Sequence, residues 1–423
     1  MRKIQPSEKI SNEISELVEN GCQQSDDLLT LLVKKSIEKI LQEALEQEVT
    51  DQLGRDYYER NPQLNTGYRN GYEPRSFKTA EGKISVSVPQ VRNTDSPYRS
   101  TILQNLKTRT SALERLAIEM YVRGLSTRDI EDTFKDDSGK SLISKDGVSQ
   151  LTASLSEEYE RFCQRALSGY DVVYLFVDAV YEKLRLSLGA KEAILCAWAI
   201  LSDGSKVLLH LALGNKESYQ CWTEFFRHMI SRGLRMPLLV ISDGAPGLIK
   251  AIEDCFPKSK RQRCLVHKLR NIADKLSRQG MDELLPKIKN VYYQTDKEVA
   301  LIAATKVIET YSEKYPSAIK CFQDDLESCL AHLDFPMGHH RHIRSTNLIE
   351  RCFLEQKRRT KVIPRFLDEK SCLKLVYATL IRVSEKWRRV KMSKLDLTLL
   401  KNIRKLYGFK DDGDGFISMK IAA

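Results

Sequence analysis

The sequence predicts an α/β core, a mixed five-stranded sheet flanked by helices and carrying a helical insertion, behind an N-terminal α+β region. Three observations predict it. Four apolar runs of strand length, DVVYLFVDAV, EAILCAWAI, KVLLHLAL and PLLVISDG, fall close together in the middle of the chain. The first three follow one another as a meander, whereas the fourth lies between two stretches of helical period. Strands that alternate with helices in this way form a sheet covered by helices.

Residues 26–54 place Leu29, Leu32, Ile37, Ile40, Leu41, Ala44, Leu45 and Val49 near helical spacing, with Asp26 and Asp27 at the start and Gly54 at the end. Residues 61–75 are turn-rich. Ile84, Val86 and Val88 then alternate with Ser85 and Ser87, so a β-hairpin is expected around Glu81–Gly82, with Arg69, Arg75, Lys78, Lys83 and Arg92 about it. Residues 111–122 are helical by period and stop at Gly124; Ser126 and Asp129 make a capping box for a short helix bearing Arg128. Another helix begins at about Ser144 and offers Lys145, Ser149, Gln150 and Thr152. Helix, short helix, loop and polar-faced helix is the order of a helix-turn-helix, though many helical bundles share it and the linker is long.

In the core, LSDGSK is a tight turn between the second and third strands, residues 215–232 read as a helix, and GLIKAIEDCF is a helix after the fourth strand. RQRCLVHKL is expected as the fifth strand, residues 276–335 as a helical insertion, and a basic helix follows Ser345. These readings divide the chain into 1–105 (long helix and hairpin), 106–168 (helix-turn-helix), 169–275 (first part of the core), 276–335 (insertion), 336–390 (last part of the core) and a tail, 391–423, whose KDDGDGFISMKIAA end is expected to be flexible.

Bulk composition narrows the function. The 423 residues carry a net charge of +11, which suits a polyanionic partner such as nucleic acid, or simply a basic soluble protein. No apolar run is long enough to span a membrane, and the first twenty residues lack the apolar stretch of a secretory signal. Ten scattered cysteines without a CxxC pair then suit a reducing cytoplasm.

Two Asp-Gly pairs separate ordinary turn chemistry from a site. Asp203–Gly204 lies between two strands and reads as a solvent-facing hairpin tip. Asp243–Gly244 ends a strand that runs into a helix, and sites in open α/β sheets form beyond such strand ends. Asp178 stands likewise late in the first apolar strand. Unpartnered carboxylates there would cost several kcal/mol, so a lysine, a helix N-terminus or a metal ion is required. Two strand-end aspartates on a meander-led sheet in a basic protein suggest a ribonuclease-H-like core, in which Mg²⁺ (or Mn²⁺) relieves the mutual repulsion of the carboxylates. Glu350, on the basic helix, is the best third carboxylate, although a first-turn glutamate also answers the helix dipole. Lys357, Arg358, Arg359 and Lys361 come after it and suit phosphates. Cys264 and His267 have the spacing of two zinc ligands but lack a second pair; a packed Cys–His pair near the carboxylates is the simpler reading. GHHRHIR, ending at Arg344, is a histidine cluster read as a basic loop beside DNA. Trp198 and Trp222 read as core.

VISDGAPGLIKAI, FPKSKRQRCLVHKLRNI and IRSTNLIERCFLEQKRRTKVIPRF, flanked by TGYRNGY and RGLSTRDI, resemble in order and spacing the Mutator-type DDE transposases of bacterial insertion sequences over roughly residues 40–390. The family commonly has an aromatic residue within the stretch FPMGHHRHIR and a Gly at Pro364, where this chain departs from it. The resemblance implies an enzyme that binds terminal inverted repeats of double-stranded DNA, cuts at the element ends and joins the 3′ hydroxyls to target DNA. It implies Asp178 and Asp243 as catalytic aspartates, Glu350 as catalytic glutamate and metal ligand with them, and Cys264–His267 as the family's Cys-x-x-His. Pairing two ends calls for a homodimer or larger homo-oligomer, in a bacterial cytoplasm at the nucleoid. A structure-specific nuclease, a non-catalytic DNA-binding regulator and a zinc-dependent DNA-binding module are the alternatives.

Overall fold

The computed structural model describes the chain except residues 1–3, 22–26, 60–66, 95–96, 137, 184–190, 215–216, 362, 364–365, 367 and 410–423. Asp26, Pro364 and the KDDGDGFISMKIAA end therefore lie outside the described residues. Two compact units are present, Met1–Ala153 and Ser154–Ala423.

The first unit opens with α1 (Pro6–Asn20), then α2 (Leu28–Leu53), whose start is capped by Asp27 accepting from Leu29 N and whose end turns at Gly54 in the left-handed region. An antiparallel hairpin comes next, β1 (Tyr68–Thr79) and β2 (Gly82–Arg92). Its Phe77, Ile84, Val86 and Val88 pack against Leu45, Leu41 and Ile37 of α2. The helix also closes the hairpin's open edge. Glu38 accepts from Ser85 N at 2.7 Å, while Gln42 accepts from Ser87 N at 2.7 Å and donates to Ser87 O at 2.8 Å. Side chains thus satisfy the row of edge groups that would otherwise pair with another strand.

Next come α3 (Thr101–Asn105), α4 (Ser111–Val122), α5 (Thr127–Thr133) and α6 (Lys145–Gln164). The Ser126–Asp129 capping box forms, with reciprocal bonds of 3.1 and 3.0 Å. Leu113, Ala117, Ile130, Leu142, Ile143 and Val148 make one small core between α4, α5 and α6.

The second unit is built on a five-stranded mixed sheet in the order β5-β4-β3-β6-β7. The strands are β3 (Val172–Lys183), β4 (Lys191–Leu201), β5 (Lys206–Gly214), β6 (Leu239–Ser242) and β7 (Lys260–Arg263). The first three form the expected antiparallel meander, and β6 and β7 join it in parallel. α7 (Tyr219–Ser231) and α8 (Pro246–Cys255) bury Trp222, Phe225, Phe226, Leu248 and Ile252 against Leu175, Val177, Leu195 and Ala197 of one sheet face. By the two-residue period of a strand, Tyr174, Phe176 and Asp178 point to the other face.

RQRCLVHKL is not one strand. β7 stops at Arg263, and the chain turns directly into α9 (Leu265–Ala273). The apolar residues Leu265, Leu269 and Ile272 lie at helical intervals and pack into a second core with α10 (Arg278–Tyr292), α11 (Lys297–Tyr311), α12 (Pro316–Gln323) and α13 (Leu326–Leu330). The stretch 276–335 is largely helical as expected, and α9 opens the core of its helices. After two 3₁₀ turns come α14 (His340–Ile343), α15 (Asn347–Thr360), α16 (Glu369–Ser384) and α17 (Lys394–Leu406). α1, α16 and α17 occupy stretches for which the sequence reading proposed no element.

Asp203 faces solvent as expected, accepting from Ser205 N and Oγ, whereas Gly204 is buried. Gly204 has φ 79°, and a Cβ there would stand 1.9 Å from the Val390 carbonyl oxygen. The turn therefore also seats the chain between α16 and α17, since Val390 N donates to Gly204 O at 2.8 Å.

Candidate active site

Three strands meet in register at the ends of β6 and β7, whereas β3 runs on past Asp178 to Lys183, so Asp178 stands mid-strand rather than at the expected strand end. β3 pairs with β6 through Tyr174–Leu239, Leu175–Val240 and Phe176–Ile241, so two further steps bring Asp178 alongside Asp243. β6 pairs with β7 through Ser242–Arg263, and one further step brings Cys264 alongside Asp243. Asp178 accepts from Ala179 N at 2.8 Å, and Asp243 accepts from Ala245 N at 3.1 Å as the chain enters α8. The glycine after Asp243 has a steric cause. Gly244 has φ 89°, and the Arg263 guanidinium occupies the place a Cβ would take, 1.0 Å from Nη1.

Glu350 approaches His267 from α15, although the oxygens of Asp178, Asp243 and Glu350 do not all lie within 4.8 Å of one another. Its Oε1 lies 3.7 Å from His267 Nε2 and accepts from Thr346 Oγ1 at 3.3 Å. Thr346 precedes the helix, but its hydroxyl does not cap it. Thr346 N and Oγ1 both lie 3.3 Å from the buried Cys264 sulfur. The start of α15 therefore has no side-chain cap; the Thr346 hydroxyl is turned toward Cys264 and Glu350. α15 is pinned to β3 further along. Gln356 Nε2 and Thr360 Oγ1 donate to Glu182 Oε1 at 2.6 and 2.9 Å. Glu182 lies four residues beyond Asp178, on the same strand face. The strand that carries Asp178 thereby fixes the helix that carries Glu350.

The electrostatics tie these groups together. Burial pushes the Asp178 carboxyl up to about 7, and the charge of Asp243 adds to it, against Ala179 N and His267. The Cys264 thiol against its ring raises His267 to about 9, with the charges of Asp178 and Glu350 contributing. Burial would raise Cys264, but His267 and the Thr346 donors outweigh it and hold the thiol below its usual range. A cation thus sits among carboxylates, beside a polarised thiol. Cys264, His267 and Glu350 offer ligand atoms within 4.8 Å of one another, the one such group of three among the described residues.

A carboxyl raised by burial prefers the protonated folded state, so the folded chain holds a proton that the unfolded chain has released above about pH 4. With divalent cations chelated, stability is expected to fall as pH rises from about 4 toward the folded value, and Asp178→Asn to flatten the fall. Thermal melts across that range check this; parallel profiles for the two proteins would contradict it.

The sequence reading missed Glu217. It lies just after β5, is half-buried with its carboxyl raised by that burial, and accepts from the Tyr181 hydroxyl while feeling the charge of Asp243. No local pattern marks it; only the fold brings it near.

The residues expected at DNA are dispersed. Arg75, Arg128, Lys145, Ser149, Gln150, Lys357, Arg358 and Lys361 are exposed. Arg69 is committed internally, donating to Thr50 Oγ1, Arg55 O and Asp56 O. Thr152 is buried and donates to Ser149 O, so it does not face a groove. Arg358 and Arg359 both pair with Glu355. Arg344 is half-buried, with its guanidinium 4.2 Å from the Tyr293 ring centre. The expected basic loop at GHHRHIR is two short helical turns instead. His339 and His340 are buried, His339 Nδ1 standing 2.8 Å from the Tyr174 hydroxyl and His340 Nε2 2.7 Å from Phe335 O. Among the described residues no helix is long and apolar enough to cross a membrane.

Comparison with known proteins gives this geometry a family. A family model described as "Transposase, Mutator family" matches residues 7–390. The chain is 33% identical over 356 residues to the transposase for insertion sequence element ISRM5 of Rhizobium meliloti, covering 84% of this chain and 88% of that protein. It is 32% identical over 384 residues to the transposase for insertion sequence element IS256 in transposon Tn4001 of Staphylococcus aureus, covering 89% and 95%. It is 29% identical over 373 residues to the transposase for insertion sequence element IS1081 of Mycobacterium tuberculosis, covering 88% of each. With a match that runs through β3, β6 and α15 alike, the chain belongs to the Mutator family of transposases.

Proposed function

We propose that the protein is a DDE transposase of an insertion sequence, with a ribonuclease-H-like core in which Asp178, Asp243 and Glu350 are the catalytic carboxylates. It binds the terminal inverted repeats, cuts at the element ends and joins the freed 3′ hydroxyls to target DNA. The observation that supports the reading is the placing of Asp178 and Asp243 on neighbouring parallel strands, with His267 feeling the charges of both Asp178 and Glu350.

The donor set fits Mg²⁺ or Mn²⁺. Hard carboxylate oxygens suit these ions, and burial beside the charge of Asp243 raises the Asp178 carboxyl even with His267 nearby, a repulsion that a bound cation would relieve. Asp178, Asp243 and Glu350 would hold the ions, which when bound would activate an attacking oxygen and stabilise a leaving one. Around them the chain's own residues do the rest. His267, protonated at neutral pH, donates to a non-bridging oxygen of the scissile phosphate. Exposed Lys357 and Lys361, on the last turn of α15 and just beyond, hold the neighbouring phosphates. Glu182 keeps α15 in place through Gln356 and Thr360. Water attacks a phosphodiester in line and frees a 3′ hydroxyl; that hydroxyl then attacks target DNA, with no protein–DNA covalent intermediate.

The first unit supplies end binding. α4, α5 and α6 act as a helix-turn-helix, with Lys145, Ser149 and Gln150 at base edges and Arg75 and Arg128 on phosphates. Two ends require at least two copies of the chain, which works on the DNA of a bacterial cytoplasm.

Purified protein incubated with labelled element ends and Mg²⁺ tests this reading. Nicking at the element boundary, and joining of a pre-cleaved end to a target plasmid, are the expected results. Nicking without joining would identify a nuclease instead. Tight end binding without cleavage in any metal would identify a regulator.

A further inference from the structure

We propose that the cleft between the end of α10, α14 and the segment entering α17 binds a single DNA strand, holding its phosphates by cations and stacking one base on Tyr293. The proposal rests on the DNA-processing reading above and adds a binding site to it.

The cleft has a volume of about 550 Å³ and is lined by Tyr293, Arg341, His342, Arg344 and Lys391. A space of that size admits a nucleotide rather than a duplex. Tyr293 is 48% exposed although it closes α10, and the Arg344 guanidinium lies 4.2 Å from its ring centre. The guanidinium covers one face of the ring, and an unpaired base stacks on an exposed aromatic face or guanidinium plane whatever its identity.

The charges point the same way. Lys206 of β5 stands close enough to Arg341 that this neighbour, together with burial, lowers its pKa. Burial, Lys206 and Arg341 push His342 down to about 4, so its ring is a neutral hydrogen-bonding group at physiological pH. Among the described residues, Lys206, Arg341, Arg344 and Lys391 form no salt bridge with a carboxylate. The one carboxylate of the lining is Asp396, which accepts from Ser393 N and Oγ at 2.9 and 2.7 Å, lies 3.8 Å from His339 Nε2 and feels the charge of Lys391 without pairing with it. Cations in excess of their acidic neighbours suit a polyanion, and here they flank an aromatic ring.

The cleft is also tied to the candidate active site. Arg344 O accepts from Leu265 N, the residue after Cys264, and two residues after Arg344 stands Thr346, whose hydroxyl reaches Glu350. These links couple the cleft wall to the segment that carries Glu350, and an unpaired strand is what remains once a duplex opens at a cutting site.

Fluorescence anisotropy with the full-length protein tests the proposal, using labelled oligo(dT), an abasic strand of equal length and a duplex element end over a salt series without divalent cations. Oligo(dT) is expected to bind about fivefold or more tightly than the abasic strand, as one stacked base would give. Tyr293→Ala is expected to remove that difference and Tyr293→Phe to keep it. Arg341→Gln combined with Lys391→Gln is expected to lower the single-strand salt slope by about 0.7 per lost contact, leaving duplex binding unchanged. Equal binding of oligo(dT) and the abasic strand by the wild type would overturn the proposal, whatever the variants do. So would an unchanged salt slope in the double variant when its circular dichroism melt matches the wild type. Neither readout needs metal or cleavage, so loss of nicking in the assay above and loss of strand binding here are separate failures.

Discussion

Glu350→Gln is expected to lower nicking at a labelled element end by about a thousandfold or more, with end binding and folding preserved. The substitution keeps the shape of the side chain and removes its charge. Thr346 Oγ1 can still donate to the amide carbonyl of the substituted side chain, as it does to Glu350 Oε1 now, 3.3 Å away. The helix loses a favourable first-turn charge, a matter of about 0.3–1 kcal/mol. What would disappear is one of the three carboxylates proposed to hold the cations, and charge stabilisation by such cations contributes several kcal/mol to the transition state, each ~1.4 kcal/mol being tenfold in rate. Gel analysis of cut ends, with a mobility-shift assay and circular dichroism on the same samples, checks it. A variant that melts early or no longer binds ends would show that Glu350 is a structural residue.

Trp198→Ala is expected to destabilise the second unit by about 3–5 kcal/mol. Trp198 is fully buried on β4, opposite Phe176 of β3 and Leu208 of β5, and its ring centre lies 4.4 Å from that of Trp387. Its indole nitrogen makes no hydrogen bond, so the loss is one of packing alone. The cavity would open beneath Cys196, which pairs with Asp178 in the sheet. Denaturant unfolding monitored by intrinsic fluorescence of the remaining tryptophans checks the value. A loss below about 1 kcal/mol would mean that the Trp198–Trp387 contact does not hold the end of α16 to the sheet.

Much of the core was legible because its signals are local. The meander announced itself through apolar runs broken by LSDGSK, and Asp243 could be told from Asp203 by the element after each, a helix in one case and a returning strand in the other. Where the sequence misled, the deciding partner was distant along the chain. RQRCLVHKL looks like a strand over a short window, yet Leu265, Leu269 and Ile272 belong to a helical core completed by residues beyond 280. His339 and His340 look like a basic cluster until Tyr174 and Phe335 O are found against them. Arg69 looks free for phosphate until Thr50 and Arg55 O are seen to hold it. Glu217 is one acidic residue among 57, and only the tertiary fold sets it beside Asp243 and Tyr181. The spacing Cys264–His267 was visible, but not that Thr346 would turn its hydroxyl from the helix start to that sulfur.

The central claim is that Asp178, Asp243 and Glu350, far apart in the chain, make one cation site. Titration of Mn²⁺ into the full-length protein, monitored by the loss of its free electron-spin resonance signal, tests it most directly. The account predicts saturable binding that Asp178→Asn, Asp243→Asn and Glu350→Gln each weaken by about tenfold or more, equivalent to ~1.4 kcal/mol per lost carboxylate. Unchanged Mn²⁺ affinity in all three folded variants would contradict it.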